Sequence, residues 1–517
     1  MMRWYFKKTI QKATLKAWIK NDPSLNASRR KFLSQMSTLS AGLLIPHAPL
    51  KHPKAPNIVV VGAGIAGLNA LHVLNKKGIK ATLFEASNRS GGRMMTLNNY
   101  FAPNLNTELG GEFIDTYHDD LISLAKEFKL GLVDLRKDDS SLEEVLYFGG
   151  KKFTENDLVN EIMPFAEKLR LDLERFPENL DDITFRENTN WAEIDQLSIP
   201  QYLDRIGIKG WLKSFYMNQM SGYYTMDAQY QSAVNLFLLL QLPEDEKPDS
   251  EEQSEVFKIN GGSQALTHAM NKSLEDQIKM GYSLIEIHKN KENSYTAVFE
   301  YLGVKKMVKA DYLILAIPFT KLREVKTIGF NWSTTKNECI QHLGYGNGGK
   351  IILGMNERVW RNYGSHGGMV ADIPAYSTWD SSRLQPGPAG TLTIFGGAAI
   401  GDDAANLRAS EIKEKYLPGL EAIWPGFEKA GSNTIHKFSW QDYYFNLGSY
   451  TSYKVGQWSA FGGVEKEPEG NIFFAGEHCS IQFQGYMNGG AQTGRIAAEK
   501  VVEKINWEYN SFKNMKK

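Results

Sequence analysis

Cysteine is nearly absent from this chain: Cys339 and Cys479 are the two present in 517 residues. That excludes a disulfide framework and a Cys-rich metal site; two buried thiols are expected, with one disulfide the other arrangement two cysteines permit. No metal site is expected. An excess of either charge is also missing, since Lys plus Arg and Asp plus Glu number 59 each. A balanced chain has no global basic field with which to hold nucleic acid, so no nucleic-acid partner is expected. Long apolar runs are lacking too. The mildly apolar stretch from Met36 to Ile45 falls well short of the roughly 20 residues a membrane span requires, and the C-terminus is polar at Lys516-Lys517. No transmembrane anchor, internal repeat or low-complexity tract is read.

What is present is more telling. The length suggests about two or three domains. With 42% hydrophobic and 23% charged residues the composition is that of a globular protein, and 11 Trp, 23 Tyr and 26 Phe can line a large apolar pocket. Near the start, Ser28-Arg29-Arg30-Lys31-Phe32-Leu33 precedes the Met36–Ile45 stretch. Paired arginines before Phe-Leu and a weak hydrophobic run resemble a twin-arginine (Tat) export signal. Residues 1–55 are therefore expected to form an N-terminal segment carrying it, which places the protein in the periplasm or outside the cell. The alternative is a basic helix start in a cytoplasmic protein, and Pro46-His47-Ala48 is a poor cleavage site.

Residues 57–61, Asn-Ile-Val-Val-Val, read as a buried parallel strand. Gly62-Ala63-Gly64-Ile65-Ala66-Gly67 follows, then an apolar helical face at Leu68, Leu71, Val73 and Leu74, a stop at Gly78, and a second strand from Ala81 to Phe84 that delivers Glu85. Gly62 permits the tight turn, Gly64 lets a pyrophosphate approach the backbone, and Gly67 allows close helix–strand packing. Ala66 lies in the first helical turn, whose N–H groups face the phosphates. Glu85, 18 residues past Gly67, can accept hydrogen bonds from a ribose. To this point NAD and FAD are equally served. Ala86 and then Ser90-Gly91-Gly92-Arg93 come next, and a second glycine pair with an arginine can wrap the far side of a pyrophosphate, selecting FAD. Towards the other end, Phe473-Phe474-Ala475-Gly476-Glu477-His478 is a strand running into a polar turn, and Gly485-Tyr486-Met487-Asn488-Gly489-Gly490-Ala491 opens a helix that can meet the ribityl chain or the ring.

These motifs resemble the flavin-dependent amine oxidases: monoamine oxidases, polyamine oxidases and L-amino-acid oxidases. The resemblance runs over about residues 56–503 and also takes in Glu108-Leu109-Gly110-Gly111, Gly261-Gly262-Ser263-Gln264 and Ala310–Pro318, a strand leaving the cofactor domain. It implies an α/β chain with a Rossmann-like FAD domain of glutathione-reductase type and a discontinuous α+β substrate domain. The FAD domain would comprise 56–117, 251–332 and 452–505; the substrate domain 118–250 and 333–451; and 506–517 a tail. The acidic run from Glu244 to Glu255 would be a solvated crossing between them. By the same resemblance Gly110, Gly111 and Glu112 run along the flavin, the backbone near Ile285 meets the adenine, Glu477 holds the ribityl hydroxyls, and Gly476, Gly485, Tyr486 and Met487 complete the cofactor site.

The resemblance also assigns the reacting centre. Leu343–Lys350 leads into an apolar strand, and Lys350 takes the place of a lysine that holds a water against flavin N5. Trp440–Tyr450 matches the family's Trp…Gly-x-Tyr element, in which monoamine oxidases carry a flavin-bound cysteine. Here the residue is Ser449, so FAD is expected to be non-covalent. Tyr450 and Tyr486 would be aromatic walls flanking a neutral amine, with Phe113 and Trp440 beside the substrate. The expected reaction is hydride transfer from the α-carbon to N5, hydrolysis of the imine, and reoxidation by O2 to hydrogen peroxide. Gly110–Asp115 offers acids and no arginine for a substrate carboxylate. Asp115 could hold a second ammonium or cap the helix at 118–129. An amine oxidase is thus ranked first. An L-amino-acid oxidase or tryptophan-2-monooxygenase-like enzyme is second, and a carotenoid-desaturase-like or non-catalytic flavoprotein third. A homodimer remains open.

Overall fold

The computed structural model describes residues 56–187, 190–240, 255–291, 294–329 and 332–515. The twin-arginine segment and the acidic stretch 244–254 lie outside them. Four branched residues form β1 (Ile58–Val61), buried at every position, as a strand covered on both faces must be. It lies at the centre of a five-stranded sheet with β2 (Ala81–Glu85), β3 (Ile278–Met280), β4 (Tyr312–Leu315) and β5 (Ile472–Phe474), in the order β5-β4-β1-β2-β3. Every pairing is parallel. The glycine-rich turn therefore sits at the carboxyl edge of the middle strand, where open α/β sheets bind ligands.

The helix α1 (Ile65–Lys76) leaves that turn and buries Leu68, Leu71 and Leu74 against the sheet. Gly67 is the point of closest approach: a Cβ there would stand 1.8 Å from the Gly62 carbonyl oxygen. The helices α2 (Asp119–Glu127) and the long C-terminal α3 (Met487–Met515) join this region, as does Gln264–Ser273 through Leu266 and Met270. The first turns of α3 lie on α1 through small residues. A Cβ on Gly494 would be 2.1 Å from the Ala66 carbonyl, and Asn69 Nδ2 donates to Ala491 O at 2.7 Å.

The segment 310–318 is less of a strand than its apolar sequence suggests. Ala310 ends the preceding strand Val304–Ala310, β4 covers only 312–315, and Pro318 starts a short helix at Phe319–Leu322. The break falls at Asp311, whose carboxylate and N–H both bond to Asn57, fixing a corner before β4.

A seven-stranded sheet forms the other large layer. Its order by residue range is 431–439, 349–355, 390–396, 377–380, 365–371, 143–148 and 151–153, antiparallel except where 365–371 runs parallel to 143–148. Lys350 pairs with Phe395 on one side and Phe438 on the other, so an ammonium is carried on an otherwise apolar central strand. A four-stranded sheet contains the strand Ser283–Lys289, whose register slips between Leu284 and Glu286. That bulge frees Ile285 from the ladder and turns its backbone to the cavity described below. Cys339 and Cys479 are both buried free thiols. No helix among the described residues is long and apolar enough to cross a membrane.

Replacing Gly67 with alanine forces α1 off β1. An unfolding free energy lower by about 1–3 kcal/mol is expected, read by denaturant titration; an unchanged midpoint would refute the close-approach argument.

Candidate active site

A cavity of about 390 Å³ runs from the edge of the parallel sheet to the large antiparallel sheet. At one end lie the first glycine turn (Gly62, Gly64, Ala66), the acid strand end (Glu85, Ala86) and the bulge residue Ile285. The second glycine turn faces the first: Gly91 N–H donates to Ala63 O, and a Cβ on Gly92 would be 3.2 Å from the Gly64 Cα. The channel between them is walled by bare backbone, which is what a diphosphate needs. Glu85 already accepts from Ala63 N (2.6 Å) on one oxygen and from Ser87 N and Oγ (2.8 and 2.7 Å) on the other. A carboxylate offers about four lone-pair positions, so one remains for a hydroxyl.

The middle of the cavity holds a charged pair. Arg93 Nη1 donates to Glu477 Oε1 at 2.7 Å and to Ser449 O at 2.7 Å, while Gly485 N–H donates to the other Glu477 oxygen at 2.8 Å. Burial would raise the Glu477 carboxyl, but Arg93, His478 and the Gly485 N–H together hold it below its ordinary value. Gly476, Gly485 and Met487 line the same stretch. Opposite them, Gly110 and Gly111 are squeezed flat: a Cβ on Gly110 would sit 1.8 Å from Arg93 O, and one on Gly111 2.6 Å from Met487 Cγ. Trp440 closes this wall, its Nε1 donating to Leu109 O at 3.0 Å.

Lys350, Tyr450, Tyr486, Phe113 and Glu112 line the same cavity, and the Lys350 ammonium lies 5.1 Å from the centre of the Trp379 ring and 5.9 Å from that of Phe395. Lys350 Nζ donates to Glu108 O (2.9 Å), Gly110 O (3.0 Å) and Glu112 Oε2 (3.3 Å). Burial lowers its pKa and the two glutamates oppose that shift. Tyr450 OH donates to Tyr223 O at 2.7 Å, and the Tyr486 and Tyr223 hydroxyls meet at 3.4 Å. Tyr223 is thus a clasp that links the two aromatic walls. Ser449 spends its hydroxyl elsewhere, on Thr225 Oγ1 (2.6 Å) and Gly348 N–H (3.2 Å).

These residues fit FAD by observation: two facing glycine turns, an acid with a spare lone pair, an arginine inside the channel and a continuous cavity from the bulge to the lysine. A sequence pattern reinforces this. Residues 65–502 match the family described as flavin containing amine oxidoreductase. The chain belongs to that family. Among relatives of this amine oxidoreductase, YobN of Bacillus subtilis (strain 168), provisionally named an L-amino-acid oxidase, is 27% identical over 87% of this chain and 95% of its own. Human flavin-containing amine oxidase B is 24% identical over 86% of each chain. The fold is shared with cyclohexylamine oxidase from Brevibacterium oxydans (TM-score 0.75, 18% identity, 88% and 100% of the two chains). It is also shared with a putrescine oxidase bound to putrescine (TM-score 0.71, 21% identity, 87% and 99%).

Two residues expected in the site stand outside the cavity. Gly67 packs α1 on β1 behind it. Asp115 lines a separate small cavity and does not cap α2. Its carboxylate accepts from Glu255 N–H at 2.6 Å and lies 3.3 Å from His118 Nε2. Burial would raise it, yet His118 holds it down at about 2. Asp115 acts by fixing Glu255, which lines the main cavity with a left-handed φ of 54°. Lys258, Trp379, Phe395 and Tyr223 are the contributors that sequence reading passed over. Only Lys258 left a signal, as a lysine at the centre of the short apolar strand Phe257–Ile259.

Removing the arginine from the Arg93–Glu477 pair strands a buried carboxylate. Arg93→Met is expected to cost about 3 kcal/mol of stability in chemical denaturation, with Arg93→Lys recovering part; a Met variant as stable as wild type would refute the pairing.

Proposed function

We propose that this amine oxidoreductase binds FAD non-covalently and oxidises a small primary or secondary amine, using O2 and water and releasing a carbonyl compound, ammonia or a smaller amine, and hydrogen peroxide. The observation that carries this reading is a single glycine-walled cavity lined by Lys350 and by Tyr450 and Tyr486, the two tyrosines being tied through Tyr223. The division of the chain into a cofactor domain (56–117, 251–332, 452–505) and a substrate domain (118–250, 333–451) is supported by the sheets. The parallel sheet draws its strands from the first set and the seven-stranded sheet from the second.

When bound, FAD supplies a two-electron acceptor that takes hydride from the carbon beside the nitrogen and passes the electrons to O2. The chain does the rest. The α1 N-terminus and Gly91-Gly92 receive the diphosphate, Glu85 the adenosine ribose, and Glu477, kept ionised by Arg93, the ribityl hydroxyls. Tyr450 and Tyr486, fixed through Tyr223, present π faces that orient a neutral amine and exclude water from it. Lys350 places positive charge where negative charge develops during reoxidation. The Ser449 side chain has no thiol and is engaged with Thr225 and Gly348, which supports non-covalent attachment. The arginines lining the cavity, Arg89 and Arg93, both sit by the second glycine turn. Arg93 is engaged with Glu477 and Ser449, and Arg89 with the carbonyls of Ser90, Gly92 and Met94, which supports an amine over an amino acid.

Acid precipitation is expected to release all flavin into the supernatant. A peroxide assay over tyramine, cyclohexylamine, putrescine, spermidine and L-amino acids is expected to respond to amines; turnover of L-amino acids alone would replace this reading with an L-amino-acid oxidase. Lys350→Met is expected to keep FAD and lose peroxide formation by about 100-fold or more, whereas a wild-type rate would remove Lys350 from the chemistry.

A further inference from the structure

Behind the reacting end of the cavity lies a closed group of buried charges. Glu112 is its centre. One carboxylate oxygen accepts from Lys258 Nζ at 2.8 Å; the other accepts from Trp379 Nε1 at 3.1 Å and lies 3.3 Å from Lys350 Nζ. The three charged side chains are nearly inaccessible, at 2% for Glu112, 4% for Lys350 and 7% for Lys258. Lys258 is itself anchored on Ser381 O at 2.6 Å. A lysine ammonium has three N–H donors. Those of Lys350 meet two backbone carbonyls and this one carboxylate, so Glu112 is the only charged partner in direct contact with it among the described residues.

We propose that Glu112 is a positioning residue for the reaction, a buried counter-ion that keeps Lys350 a charged ammonium at the cavity wall, with the Trp379 indole N–H holding in place the carboxylate oxygen that faces Lys350. The proposal rests on the FAD reading above and goes beyond it. Neutral lysine could act as a base; a lysine whose three N–H groups are all engaged, one on a carboxylate, is a fixed positive charge instead.

Of the influences on Lys350, the two glutamates favour the charged ammonium while burial and Lys258 oppose it. Glu112 would be raised by burial, yet Lys258 and Lys350 together hold it below its ordinary value. Glu108, which faces Lys350 through its carbonyl, is pushed up to about 7 by burial, and its carboxyl is turned onto Ser263 and Thr96. It is a weak counter-charge at neutral pH. Lys258 is the one like charge and lowers Lys350. Asp380 and Arg358, farther along the same side, pair with each other at 3.6 Å. Removing the Glu112 charge therefore leaves two lysines in a desolvated site with one half-neutral acid. Lys350 then gives up its proton at lower pH.

The test needs no knowledge of the substrate. FAD-loaded enzyme is reduced with dithionite and mixed rapidly with O2; reduced FAD gives two electrons and two protons to O2, forming H2O2. The rate constant is followed from pH 6 to 10.5. In parallel the affinity of oxidised enzyme for sulfite, a nucleophile whose addition to the flavin leaves negative charge on the ring, is titrated over the same range. In Glu112→Gln, which keeps shape and an acceptor, the midpoint above which both readouts fall is expected about 1–3 pH units lower than in wild type. In Lys258→Met, where the like charge is gone and Glu112 remains, the midpoint is expected to rise. An equal loss at every pH in Glu112→Gln would make Glu112 merely structural and overturn the proposal. If Glu112→Gln does not hold FAD, Lys258→Met decides alone, and an unmoved or lowered midpoint overturns it. Wild-type enzyme that carries no flavin would instead refute the FAD reading, and flavinated enzyme inert towards amines would refute only the substrate.

Discussion

Backbone must touch backbone at the mouth of the parallel sheet. The turn after β1 can face a diphosphate only if α1 lies against Gly62, and it does so through Gly67. α3 then lies on α1 through Gly494 and Ala66, and its first residues carry Met487, which in turn presses on Gly111. A side chain at any of these contacts would move the next element in the series. The cavity wall is the accumulated result of these approaches, and the residues with chemistry are placed relative to it. Hydrophobic burial holds the layers together, but the absence of side chains sets how near they come.

Two self-contained groups of buried charge stand at the cavity wall. Arg93 and Glu477 neutralise each other midway along the channel, and Glu112 is shared by Lys258 and Lys350 at its end. Isolated buried charges would be prohibitive, and each pair is satisfied further by backbone groups. The second group spans the two large sheets, because Glu112 comes from the loops after β2 while Lys350 sits on the antiparallel sheet. Electrostatics thus joins layers that share no strands.

Much of this was legible in the sequence, for a physical reason. The βαβ unit at 58–85 is local: strand, glycines, helix and acid follow one another within a short span, and each leaves a periodic or compositional mark. Lys350, Tyr450 and Tyr486 were legible only through resemblance, since a lysine or tyrosine in isolation looks like surface or core. Asp115 left two roles open in the sequence, an ammonium partner or a helix cap, because sequence shows an acid but not which way it faces; in the fold it is buried against His118. Tyr223 and Trp379 left no mark. Their roles come from a carbonyl and an indole N–H that acquire meaning only when segments far apart in sequence converge. The strand ending at Asp311 shows the same limit at the level of secondary structure, for a single pair of bonds to Asn57 overrode a continuous apolar run.

The chain order of the cradle has a consequence for how the protein acquires its cofactor. The glycine turns are made early in synthesis, but Glu477, Gly485 and Met487 belong to its final stretch, and β5 pairs with β4 only once that stretch exists. Half a cradle is exposed for most of translation. A chain ending before β5 would present the first glycine turn without Glu477, Gly485 and Met487, the residues that wall the rest of the cavity.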